Sequence, residues 1–181
     1  MRFTLVDKII ELEPGVRVTA QKSLTMAEEY LGDHFPHFPV MPGVLMLEAM
    51  TQAGAWLVRA SEDFAHSVVV LSSAVNVRYG QFVQPGQTLM VTAEIISQND
   101  HETKLKVWGR VEDQLAVSAR VVLRRYNLAD TRPDGELIDA RLRRELRGTF
   151  ALLYRPAKAA EPLLAAKRPA TNPVSQQHPS S

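Results

Sequence analysis

The sequence contains no cysteine. That excludes disulfides, a thiol nucleophile and thiolate metal sites, and it fits a reducing cytoplasm. There is also no excess charge of either sign: 21 Lys and Arg stand against 20 Asp and Glu, a formal +1. Such a balance gives no electrostatic case for nucleic acid or for an anionic membrane surface. No uninterrupted apolar run approaches the roughly 20 residues that span a bilayer. The opening "MRFTLVDKIIELEPG" threads charges through its apolar part, unlike a secretory signal. The expectations are therefore a cytoplasmic location, no nucleic-acid partner and no membrane. What is present is ordinary material for a globular core: 181 residues, 45% hydrophobic and 23% charged, suit one domain with an appendage.

The hydrophobic period changes along the chain. Residues Leu5 to Glu13 mix apolar and charged positions and end at a "EPG" turn, which predicts a first strand; Val16 to Ser23 predicts a second. "LTMAEEYL" predicts a short helix with Thr25 as N-cap and Glu28 completing a capping box. A proline-rich loop follows, and Pro42-Gly43 opens a helix to about Arg59. "HSVVVLSSAVNVRYG" then predicts a valine-rich strand. After it, Leu89 to Ile95, Leu105 to Val111 and Leu115 to Leu123 each alternate apolar with polar residues across short turns, the signature of an antiparallel meander. In the last run Leu115, Val117, Ala119, Val121 and Leu123 are expected on one face. Beyond the turn-rich "DTRPDG", residues 136 to 154 predict a second helix with Leu142, Leu146 and Phe150 as its apolar stripe. From Pro156 the composition, rich in Ala, Pro, Ser and Gln, predicts disorder.

The stretch "DHFPHFPVMPGVLMLEAMTQAGAWL" carries the chemistry. From Val44 to Arg59 the helix is apolar on every face, which predicts burial, yet Glu48 and Gln52 interrupt it at i and i+4 and so share one side. A lone carboxylate there is costly unless partnered or protonated, and a protonated one is a general acid. Gln52, one turn on, is placed to orient it. The helix start at Gly43 and Val44 offers free N–H groups and a positive dipole end, suited to a developing oxyanion. His34, on the loop, supplies a base. A base, an acid and oxyanion donors match elimination of water from a 3-hydroxyacyl thioester. On spacing alone, His34 is as readily a loop histidine bonded to backbone, and Glu48 a structural acid paired with Arg59 or with a partner chain. His34 and His37, three apart, invite a metal reading, but no third ligand has suitable spacing and no metal is expected.

The pattern H-F-P-x-x-P-x-x-P-G-V-L-x-x-E-A-M-x-Q is filled at every fixed position from His34 to Gln52. With it, the sequence resembles the 3-hydroxyacyl-[acyl-carrier-protein] dehydratase family, the FabZ/FabA type. "LVDKIIELEPG" and "VQPGQTL" resemble two further segments of that family, so the likeness covers about residues 3 to 125. It implies an α+β hot-dog fold, an antiparallel sheet of five to six strands wrapped around a long central helix, here with a C-terminal helical extension. It implies dimers with joined sheets, often assembled three to a hexamer, and an active site shared between subunits. His34 of one subunit and Glu48 of the other would be the catalytic pair, Gly43 would hold the thioester carbonyl and Gln52 would orient Glu48. No cofactor is implied, because the substrate rides on the phosphopantetheine arm of acyl carrier protein, the implied partner. Glu48 resembles the dehydratase-only branch; the branch that also isomerises carries Asp there. The sequence departs from the family at Asp33, at His37-Phe38 and at Gly80-Gln81, positions that the resemblance assigns to the loop rim and the carrier-protein contact rather than to the catalytic pair. The expected organisation is a hot-dog dehydratase domain over 1–127, a linker and helix over 128–155, and a disordered tail over 156–181. Two alternatives remain at this point: a hot-dog acyl thioesterase, whose acid sits in the same helix, and a non-catalytic acyl-binding subunit of a synthase.

Overall fold

The period-two runs become strands, the long apolar run becomes one helix and the amphipathic C-terminal stretch a second. A computed structural model describes residues 3–35 and 37–156. Its elements are β1 (Lys8–Glu13), β2 (Arg17–Ser23), α1 (Gly43–Ser61), β3 (Val68–Tyr79), β4 (Thr88–Gln98), β5 (Glu102–Val111), β6 (Gln114–Tyr126) and α2 (Gly135–Leu153). The six strands form one antiparallel sheet in the order β1-β2-β4-β5-β6-β3. The expected disordered tail lies outside the described residues.

The sheet curls around α1. One face of every inner strand is buried: Val18 and Ala20 of β2, Leu89, Val91 and Ala93 of β4, Leu105 and Val107 of β5, and Val121 and Leu123 of β6. Against this face α1 lays Met50, Ala53, Leu57 and Val58, all fully buried. Gly54 sits at the closest point, where an added Cβ would meet Leu105 and Leu123 at 3.5 Å. Burial of large side chains of this kind contributes about 1.5–3 kcal/mol each, so the helix is held by its sheet-facing side. The opening of α1 departs from the expected all-round burial: Val44 is exposed and Leu45 and Leu47 are half-buried.

Two further expectations are corrected. Residues 24–31 form no α-helix, only a three-residue 3-10 turn over Glu29–Leu31. Thr25 Oγ1 does accept the Ala27 N–H at 3.3 Å, but the Glu28 carboxylate turns to the ammonium of Lys22. Lys22 is buried, and a buried ammonium needs a counter-charge more than the chain needs a capping box. Leu115 also leaves the face of Val117. Gly109 and Arg110 of β5 pair with Val117 and Leu115 of β6, so Ala116 is an extra residue. This bulge turns Leu115 outward and buries Ala116 beside Val117.

The C-terminal helix docks on the outer side of α1. The Phe150 ring lies 6.0 Å from that of Trp56 and 5.4 Å from that of Phe64. Arg147 bonds Asp63 at 2.7 Å. Asp63 and Phe64 both take positive φ (47° and 58°) just after α1 ends, and this sharp turn presents them to α2. At the other end of α2, the buried Asp139 carboxylate accepts the Ser67 hydroxyl and the N–H groups of Leu128 (3.0 Å) and Ala129 (2.9 Å).

Candidate active site

Glu48, Gln52, Trp56 and Arg59 follow one another up the outer side of α1. Gln52 donates from Nε2 to Glu48 Oε1 at 2.9 Å. The same amide is held from the other side, its carbonyl oxygen accepting the Leu5 N–H at 2.9 Å and its nitrogen donating to the Phe3 carbonyl at 3.1 Å. The amide therefore cannot flip, and its nitrogen faces the carboxylate. The acid is half-buried rather than fully enclosed. It opens into a cavity of about 580 Å³, walled by this side of α1, by Val68 to Leu71 of β3 and by α2. Arg59 lines the same cavity but does not partner Glu48. Among the described residues its one hydrogen bond runs to the Val69 carbonyl at 3.4 Å, its guanidinium lies 5.3 Å from the Trp56 ring centre, and its Nε has no partner.

His34 sits elsewhere. Its N–H bonds the Tyr30 carbonyl at 3.1 Å, and Phe35 follows with φ +52°. A bulky residue in that region costs about 1–3 kcal/mol and persists where the surroundings impose it. The turn brings the His34 and Phe35 rings to 4.4 Å, tilted by 56°. His34 opens into a second cavity of about 530 Å³, together with Met41, Gly43, Met46, Tyr79 and Phe82. Gly43 leaves room for the Tyr79 ring there: an added Cβ would stand 2.9 Å from Tyr79 Cε1. Pro42 caps α1 through its carbonyl, which accepts from Leu45 at 2.9 Å and Met46 at 3.1 Å. The N–H groups of Gly43 and Val44 precede the first intrahelical bonds. The structure thus brings His34 to Gly43, and Gln52 to Glu48, but lodges the two pairs in different cavities of one chain. His37 is exposed, and among the described residues no three His, Asp or Glu side chains converge as metal ligands.

Several residues of this site escaped the sequence reading. Phe3 and Leu5 clamp Gln52 through backbone atoms, which leave no mark in side-chain pattern. Tyr79 covers Gly43 from a distant strand, a contact no local period encodes. Asp139 did carry a signal: it stands in register with Leu142, Leu146 and Phe150, an acid within an apolar stripe, as Glu48 is within α1.

A curved antiparallel sheet closed on one long helix defines the hot-dog class. A solved structure with this arrangement, the dehydratase heterocomplex ApeI:P from Xenorhabdus doucetiae, matches with a TM-score of 0.56 at 17% identity, covering 68% of this chain and 84% of that one; the likeness shows the fold. The profile of the FabA-like domain matches residues 1–120. Similar curated proteins include the 3-hydroxyacyl-[acyl-carrier-protein] dehydratases FabZ of Ruminiclostridium cellulolyticum, 38% identical over 119 residues (66% of this chain, 84% of that protein), and of Aromatoleum aromaticum, 41% identical over 122 residues (66% and 84%). The chain belongs to the FabA-like family.

Proposed function

We propose that the protein dehydrates 3-hydroxyacyl thioesters carried on acyl carrier protein to the trans-2-enoyl products, in fatty acid or related acyl-chain synthesis. The reading is supported above all by the amide-clamped Glu48, an acid fixed in a cavity of a size that suits a small ligand. His34 removes the C2 proton. The Gly43 N–H and the positive end of α1 receive the charge that gathers on the thioester oxygen. Glu48 gives its proton to the C3 hydroxyl, the C3–O bond breaks, water leaves, and the electron pair from C2 closes the C2=C3 double bond. A proton passing back from His34 to Glu48 through solvent resets the pair. No cofactor takes part, and the substrate arrives on the phosphopantetheine arm.

One chain separates His34 from Glu48, so the working site needs two. The fold offers the means: β3 ends the sheet with its outer edge unpaired among the described residues, and exposes Val70, Leu71 and Val75. Joining β3 to its copy is the dimer this reading requires. No helix among the described residues is long and apolar enough to cross a membrane, and the reading places the enzyme in the cytoplasm. The thioesterase alternative shares the fold, and the family assignment favours dehydration.

The test is turnover of 3-hydroxybutyryl-acyl carrier protein by purified His34→Ala and Glu48→Gln. Each loses about 10²–10⁴-fold in kcat with an unchanged melting temperature. Near-normal dehydration by either variant overturns the assignment.

A further inference from the structure

The family profile stops at residue 120, and α2 begins at Gly135. Yet α2 is not remote from the chemistry. Leu142, Glu145, Leu146 and Thr149 form a wall of the cavity into which Glu48 and Gln52 point. The opposite wall is α1 itself, and Arg59 stands 11 residues beyond Glu48 on the same side. At 1.5 Å rise per residue the two positions are roughly 16 Å apart along the axis. The cavity is therefore elongated, with an acid at one position along it and a guanidinium at another.

That guanidinium is poorly provided for. Burial pushes it down to about 10, with no carboxylate offsetting the effect. Among the described residues its hydrogen bonds amount to the Val69 carbonyl at 3.4 Å, and its Nε has none. Beyond that bond and the face of the Trp56 ring, solvent entering the cavity is what can hydrate it. A hydrocarbon chain running the full length of the cavity would expel that water and leave the charge against methylenes, which is unfavourable. A shorter chain stops beside Leu142, Leu146 and Trp56, gains apolar contact, and leaves the charge wet.

We propose that α2 and Arg59 together form a chain-length stop for the acyl group. Leu142 and Leu146 of α2 close the side of the cavity, Arg59 marks its polar end, and the preferred ligands are short- and medium-chain acyl thioesters. The argument rests on Glu48 marking the reacting end of the chain, as in the proposed function. The side wall of the stop is carried by α2, outside the residues the family profile matches, and Arg59 lies apart from the acid, its clamp and the histidine, so the stop acts on substrate choice without altering them.

The experiment measures, for the full-length oligomer, binding of saturated acyl N-acetylcysteamine thioesters from butyryl to hexadecanoyl by calorimetry, alongside kcat/KM for the matching 3-hydroxyacyl-acyl carrier proteins. In the wild type, affinity rises with chain length to a maximum at medium length and falls for hexadecanoyl. Arg59→Met and Leu146→Ala each raise the hexadecanoyl-to-octanoyl ratio tenfold or more. Thr149→Trp, which fills the wall instead of opening it, lowers the octanoyl-to-butyryl ratio. Arg144→Ala, on the exposed side of α2, leaves both ratios as they were. Circular dichroism and melting curves show which variants are folded, and the filling variant keeps the test intact if an opening variant is not. Ratios that stay at wild-type values in folded variants overturn the stop. If the binding ratios shift but no substrate is turned over, the stop stands and the dehydratase reading falls; turnover with unshifted ratios gives the reverse.

Discussion

Gln52 holds Glu48 by a 2.9 Å hydrogen bond and is itself held by the backbone of Phe3 and Leu5. The N-terminal segment therefore reaches the candidate acid through one amide. Gln52→Leu keeps the volume and removes the clamp. A hydrogen bond to a charged group contributes about 1.5–3 kcal/mol, which corresponds to roughly a 10- to 150-fold fall in kcat. Steady-state kinetics with a short acyl substrate measure it, and an unchanged kcat shows that the amide does not orient the acid.

His34 and Glu48 occupy different cavities of one chain. Mixing His34→Ala with Glu48→Gln protein under conditions of subunit exchange makes hybrids in which one of two sites has both groups. Random pairing puts half of the dimers in that form, so activity recovers to roughly a quarter of wild type. Failure to recover, with exchange verified by mass spectrometry of labelled chains, means that the pair acts within one subunit.

Gly43→Ala tests the helix start. The new methyl meets the Tyr79 ring, which is half exposed and can swing away. The expected result is a small change in melting temperature and a larger rise in KM, because the ring is displaced toward the His34 cavity. Tyr79→Ala in the same chain restores KM. Equal loss in the single and double variants would point to the backbone of Gly43 rather than the ring.

The anchor of α2 is pH-dependent. Burial works against the Asp139 carboxylate, but the Ser67 hydroxyl and the N–H groups of Ala129 and Leu128 outweigh it and hold the group below its usual range. A depressed folded value means that the contribution is fully present above the unfolded value, about 3.9, and is lost as pH falls through the folded one. Asp139→Ala destabilises the protein by about 2–3 kcal/mol at neutral pH, which lowers the melting temperature by roughly 5–10 °C. The gap between variant and wild type closes in acid below pH about 4. A gap that is constant from neutral pH into that range argues against an ionised anchor.

The fold was largely legible because its causes are local. Alternation in β4 to β6 and the apolar run of α1 read out directly as sheet and helix, and Leu142, Leu146 and Phe150 marked the docking side of α2. The failures share a cause of the opposite kind. Glu28 left its local cap for Lys22, which burial had deprived of water. Leu115 was turned outward by a bulge whose register depends on β5. Within the site, Glu48, Gln52 and Gly43 stood out by type and spacing, whereas Phe3, Leu5 and Tyr79 act through backbone atoms or ring faces brought in from far along the chain. Arg59 was visible as a charge near the end of α1, but that no carboxylate among the described residues pairs with it is a three-dimensional fact.

The edge of β3, unpaired among the described residues, bears on how the protein is made. Twelve residues of strand with Val70, Leu71 and Val75 in solvent form a template on which other extended segments can add. In the dimer proposed above, a newly synthesised chain is exposed to such additions until that edge is covered, so its yield would be set by a race between correct partnering and misassembly. Slower synthesis at lower temperature, or a charged residue in place of Val75, shifts that race toward soluble single chains, in the second case by giving up the partnering as well.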